Sequence, residues 1–114
     1  MVTKYLTLPI TMVLIFSAYQ AVAATDEQLN SIKRMGELNG VALHCEFLGE
    51  TRRMKQALVT AMPKRRQLGQ SFDDVTNTSF LSFIQAKSEC PGEQQFIQEV
   101  TAAIAGLNQA FSKP

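Results

Sequence analysis

The chain has 114 residues, 18% of them charged, with a formal net charge of +1, two cysteines and no tryptophan. A chain of this length forms one domain, which excludes a multidomain architecture; the leader described next shortens the mature domain to about 91 residues, near the lower range in which a single core is self-sufficient. Losing Lys4 with the leader leaves ten basic and ten acidic residues, so the mature domain has no formal net charge, although its charges are unevenly spread.

Residues 1–23 read as a cleavable secretory signal peptide. Lys4 supplies the positive start, residues 5–16 the apolar stretch, and Ala21-Val22-Ala23-Ala24 the small-x-small ending that a signal peptidase accepts. This places cleavage after Ala23, with Ala24 as the neighbouring choice. Thr7, Pro9 and Thr11 leave the stretch too short and too interrupted for a permanent membrane helix, and no second long apolar run follows. The mature domain, residues 24–114, is therefore expected in the periplasm or outside the cell. In that oxidising compartment Cys45 and Cys90 have one intramolecular pairing open to them. Their bond closes a loop of about 46 residues, worth about 4 kcal/mol on the chain-entropy model, which makes it structural rather than catalytic.

Along the mature chain, residues 26–39 carry Leu29, Ile32 and Leu38 among charged and amide residues, with Thr25 or Asp26 as N-cap. Asn39-Gly40 can end this helix, since glycine accepts the left-handed backbone. A second pattern runs through that point. Leu29, Ile32, Gly36, Gly40, Leu43, Phe47, Thr51, Met54, Leu58 and Ala61 follow at steps of three and four, which would make residues 26–62 one long helix. Break and continuation stay equally open. In either case residues 41–62 are helical and Cys45 points inward on a flank with Val41 and Leu48. The two glycines on the stripe cost helix stability, and close approach of another helix is the reason to keep them.

Pro63 ends or kinks this helix, and residues 64–70 form a basic connection. Ser71 or Asp73, or a later start at Thr78 or Ser79, can cap the next helix. It runs from Phe80 to about Glu89 with Phe80, Phe83 and Ile84 buried. Cys90-Pro91-Gly92 forces a turn. The last helix is the clearest, with Phe96, Val100, Ala103, Ile104, Leu107 and Phe111 on one face and Pro91 to Glu93 supplying its start. No alternating strand pattern appears. The fold class is all-α, a small bundle of about four helices stapled by the Cys45–Cys90 disulfide. That bond would tie the middle of the 41–62 helix to the turn before the last helix.

Reactive chemistry is poorly supplied. The single histidine, His44, has Cys45 as its neighbour, but adjacent helical positions point about 100° apart and do not chelate as a pair. A cysteine held in a disulfide cannot serve as a nucleophile. Glu46 with Glu50, and Asp73-Asp74, read as a solvated face and a helix start rather than as paired acid and base. With no phosphate loop, nucleophile elbow or haem motif, the chain is expected to be no enzyme and to need no cofactor or metal.

The most distinctive polar feature is basic. Residues 51–72 contain Arg52, Arg53, Lys55, Lys64, Arg65 and Arg66 and no acid. If residues 52–66 stayed helical, Arg52, Lys55 and Arg66 would share one flank, with Arg53 and Lys64 in a second row. Such a surface suits an acidic partner protein or anionic lipid headgroups, and is equally a solvated face that keeps the domain soluble. The export signal and the lack of aromatic residues among these cations argue against nucleic acid.

Cys45-Glu46-Phe47-Leu48, the second cysteine some 45 residues on (Cys90), and a terminal helix with Phe96 and Val100 together resemble the small acid-stress periplasmic chaperones of the HdeA and HdeB type. The resemblance covers scattered positions across most of the mature chain. It implies a dimer that opens in acid and shields unfolded clients with apolar surface. In outline the chain also looks like a periplasmic immunity protein, a helical domain that blocks a toxin. Both lead to one expectation, an exported binding or protective protein that works by contact with another protein. The alternative is an envelope protein that binds anionic lipid through residues 52–66.

Overall fold

The computed structural model describes residues 23–112, so the signal-peptide reading, apart from Ala23, lies outside the described residues. Four helices follow, α1 (Asp26–His44), α2 (Leu48–Ala61), α3 (Arg66–Gln85) and α4 (Glu93–Ser112), and among the described residues there is no strand. The all-α bundle stapled by Cys45–Cys90 is thus the architecture observed.

Helix α1 starts at a capping box. The Gln28 amide donates to Thr25 Oγ1 at 3.1 Å, and the Thr25 amide donates to Gln28 Oε1 at 2.9 Å. Asp26 and Glu27 in the first turn favour the positive end of the helix dipole. The helix neither stops at Asn39-Gly40 nor continues to residue 62. It passes through Gly40 to His44 and breaks at residues 45–47, so the reading of 41–62 as one helix is corrected. The break is a Schellman-type ending in which the Phe47 amide donates to Ala42 O and Glu46 takes a left-handed backbone, φ 62°. Phe47 then stacks on Phe96 of α4, with ring centroids 5.1 Å apart, which fixes the start of α2 against the core. At its other end α2 stops where Met62, next to Pro63, turns extended.

The third helix departs furthest from the sequence reading. It begins at Arg66, ahead of each start the sequence offered (Ser71 or Asp73, and Thr78 or Ser79), runs through Gly69, Asp73 and Thr78, and ends at Gln85, short of Glu89. No side chain caps it. What holds it is the buried series Leu68, Phe72 and Thr76 at steps of four, a tertiary contact that overrides glycine, aspartate and threonine as poor helix formers. Phe80 and Phe83 are half-buried and Ile84 is exposed, so the expected core of this helix lies one to three turns too late. Helix α4 matches its expected stripe, with Phe96, Val100 and Leu107 buried and Ala103, Ile104 and Phe111 packed against them.

Helix α1 lies at the centre. It touches α2, α3 and α4, and α2 touches α4, whereas α3 touches α1 alone among the helices. Parallel packing of α3 on α1 follows from the order of contacts. A Cβ on Gly36 would meet Val75 Cβ at 2.8 Å and Phe72 O at 3.0 Å; one on Gly40 would meet the Phe80 amide nitrogen and Ser79 Cβ at 2.6 Å. The two glycines therefore sit where α3 comes closest, as expected of them. Ser79 Oγ donates to Glu37 O at 2.7 Å across the same seam. On the other side of α1 the chain runs antiparallel to α4, with Gln28 Nε2 donating to Ala110 O at 3.2 Å.

The chain therefore crosses the ends of α1 twice, at residues 62–65 and 86–92. The disulfide joins the α1–α2 turn to the second crossover, with Cα atoms 5.7 Å apart, and not the middle of a helix to a turn as the sequence suggested. Cys45 is half-buried and Cys90 exposed.

Candidate functional site

The six basic residues are divided between two helices and the connection that joins them. Helix α2 carries Arg52, Arg53 and Lys55, the helix ends at Ala61, Lys64 and Arg65 fall in the connection, and Arg66 opens α3. The condition for a single flank, an unbroken helix over 52–66, is not met. Arg53 is moreover engaged by neighbouring side chains at the half-exposed edge of the bundle. Its Nη1 lies 2.6 Å from Glu50 Oε2 and its Nη2 donates to Thr101 Oγ1 at 3.0 Å, tying α2 to α4. Arg52, Lys55, Lys64, Arg65 and Arg66 are exposed. Arg65 and Arg66 stand at the positive end of the α3 dipole with no acid in the first turn, an arrangement that repels its own charges.

The carboxylate pairs also separate. Glu46 lies in the left-handed turn, off the face of α2 that carries Glu50, and Asp73 and Asp74 are exposed in the middle of α3 rather than at its start. His44 is exposed on the last turn of α1, and its ring packs at 5.1 Å from Phe83 and 5.9 Å from Phe80, a contact between α1 and α3. Both cysteines are in the disulfide, and among the described residues no three His, Cys, Asp or Glu side chains gather as a metal site would require. No described helix is long and apolar enough to cross a membrane.

What the sequence reading did not single out is the outer face of α3. Residues 75–86 contain no charged side chain. Because α3 has one neighbour, much of this neutral segment faces out, with Leu81 at 55% and Ile84 at 43% exposure. At steps of one and four, Phe80, Leu81 and Ile84 share a flank of the helix. Beside it, between α1 and α3, runs an open groove of about 580 Å³. Val75, Phe83 and Ala86 line it together with the hydroxyl residues Thr78, Ser82 and Ser88, and Lys33 and Asp74 stand on its two walls. The size is that of a ligand cleft, but the groove is open along its length, which suits a chain segment or a protein surface more than an enclosed small molecule. The signal was present in the sequence as a charge-free run holding two phenylalanines, a leucine and an isoleucine. It was read as core because a helix with only one neighbour was not foreseen.

Comparison with protein-family models, curated proteins and solved structures finds no match to this chain.

Proposed function

We propose that this chain is an exported, chaperone-like binding protein that acts by contact with apolar segments of another protein through the neutral outer face of α3. The observation that carries the reading is the free flank of α3, where Leu81 and Ile84 stand exposed on a charge-free segment that only α1 supports. Exposed apolar side chains scattered singly need no explanation, but a contiguous run of them marks a contact surface. Export is supported by the leader reading of residues 1–23 and by the disulfide, a bond that persists in oxidising compartments such as the periplasm. Contact of this kind needs no catalytic group, cofactor or metal. Whether the contact strengthens in acid, as the resemblance to acid-stress chaperones implies, is read in the same assay.

The test is suppression of aggregation of a chemically unfolded model protein, at neutral and acid pH, by the wild-type chain and by Leu81→Glu with Ile84→Glu. A charge on each removes the apolar contact and should weaken binding by about tenfold or more. Val59 is 78% exposed on α2, on the far side of α1, so Val59→Glu serves as control and leaves binding unchanged. An absence of suppression by the wild type at either pH removes the chaperone reading. A one-to-one complex with a single cognate protein, and none with unfolded clients, moves the function to the immunity class.

The second reading is attachment to anionic envelope lipid. It draws on the exposed cluster of Lys64, Arg65 and Arg66 at the α2–α3 connection. Binding to anionic vesicles that fades with salt and with reversal of Lys64 and Arg66 supports it; binding indifferent to both excludes it.

A further inference from the structure

We propose that the Cys45–Cys90 disulfide is a redox latch on the C-terminal half of α3. Burial along this helix is graded. Its buried residues, Leu68, Phe72 and Thr76, all fall within its first eleven residues, and no residue of the helix after Thr76 is buried. From Ile84 through Cys90 every residue is exposed. The crossover satisfies its backbone locally. Ala86 donates to Ser82 O, Lys87 to Ile84 O and Ser88 to Phe83 O, so these bonds tie it to α3 and not to the bundle. Lys87 is held in a left-handed conformation, φ 51°, as is Glu46 in the turn at the other end of the bond, and neither residue type favours that conformation. Beyond the close approach at Gly40 and the Ser79–Glu37 hydrogen bond, the poorly buried end of α3 is thus fastened to the α1–α2 turn by the covalent bond, helped by Phe80 and Phe83 against His44.

Cys90 is exposed and Cys45 half-buried, so a reductant reaches the bond without unfolding the core. A dithiol attacks one sulfur and the resulting mixed disulfide is resolved by its second thiol. The protein then carries two thiols, having gained two electrons and two protons, and the reductant leaves as a disulfide. With the bond open, loop-closure entropy no longer favours the docked crossover, and the segment from Asn77 to Pro91 is expected to fray. The start of α3 stays in place through Leu68 and Phe72, which belong to the common apolar core, so the α1–α2–α4 core is untouched by fraying beyond Thr76. The fraying frees Phe80 and Phe83. The latch stands whatever the partner of the neutral face proves to be.

Hydrogen exchange on the purified oxidised protein, before and after reduction with dithiothreitol, reads this directly. On reduction the amides of residues 80–90 should exchange faster by about tenfold or more, with α1, α2, α4 and residues 66–76 unchanged. Unchanged exchange at 80–90, or a common loss of protection in all four helices, overturns the proposal. Reduction under native conditions should also proceed at a rate proportional to dithiothreitol concentration; a rate capped by global unfolding counts against it. Cys45→Ala with Cys90→Ala should reproduce the reduced pattern, and failure of that variant to fold contradicts the latch, since the core is then not self-sufficient.

Discussion

The two sides of α1 are built from different materials. Toward α2 and α4 it presents Met35, Leu38 and Ala42, which meet Met54, Leu58, Phe96, Val100 and Leu107 in one apolar cluster. Toward α3 it presents two glycines and Asn39, whose Nδ2 donates to Thr76 Oγ1 at 3.3 Å. Asn39 is 1% exposed and its Oδ1 is buried with no hydrogen-bond partner. An apolar core gains free energy in proportion to the area it removes from water. The α3 seam adds the buried Leu68 and Phe72 at its start, but beside Asn39 and Gly40 it relies on close approach, a few hydrogen bonds and, beyond the helix end, a covalent tie. The difference teaches that α3 is a layer laid against a three-helix core, free to offer its outer face.

The comparison breaks hardest at the core. Phe96→Ala removes a ring that is fully buried and stacked on Phe47, and should cost about 4 kcal/mol, with all four helices melting together in urea. If α3 survived that loss, the core would not be the foundation claimed for it.

Next in size is the seam. Gly40→Ala places a Cβ against the α3 backbone at 2.6 Å, and the overpacking should cost about 2 kcal/mol even after the roughly 1 kcal/mol that alanine gains in helix propensity. Gly106→Ala on α4 meets nothing within 4 Å and should stabilise by about 1 kcal/mol. Urea midpoints moving in the same direction for both would erase the distinction between the two glycines. The smallest effect concerns the buried polar pair. Thr76→Val leaves the Asn39 amide without a partner and should cost about 1 kcal/mol, whereas adding Asn39→Leu removes the orphaned group and should recover most of that loss.

Legibility followed the same division. Helix α4 was readable because it packs through one stripe of large apolar residues, and the disulfide because two cysteines admit one intramolecular pairing. Helix α1 was half readable. It is covered on two sides, so Ile32, Gly36 and Leu38 were found while Met35 and Ala42 were not. The end of α1 was missed because its left-handed residue is Glu46, not a glycine, and no proline marks the break. Helix α3 was placed late because its start has neither cap nor acid and its anchor, Leu68 and Phe72, is two residues long in a polar stretch. The neutral face was visible as composition but not as surface, since exposure depends on how many neighbours a helix has.

Placing a photoreactive amino acid at Leu81 in one variant and at Val59 in another, each mixed with the same unfolded client and irradiated, tests the central claim most directly. Covalent capture of the client from position 81 and none from position 59 is the result expected of a protein that works through the outer face of α3. Equal capture from both positions, or capture from 59 alone, would place the contact elsewhere and contradict the account.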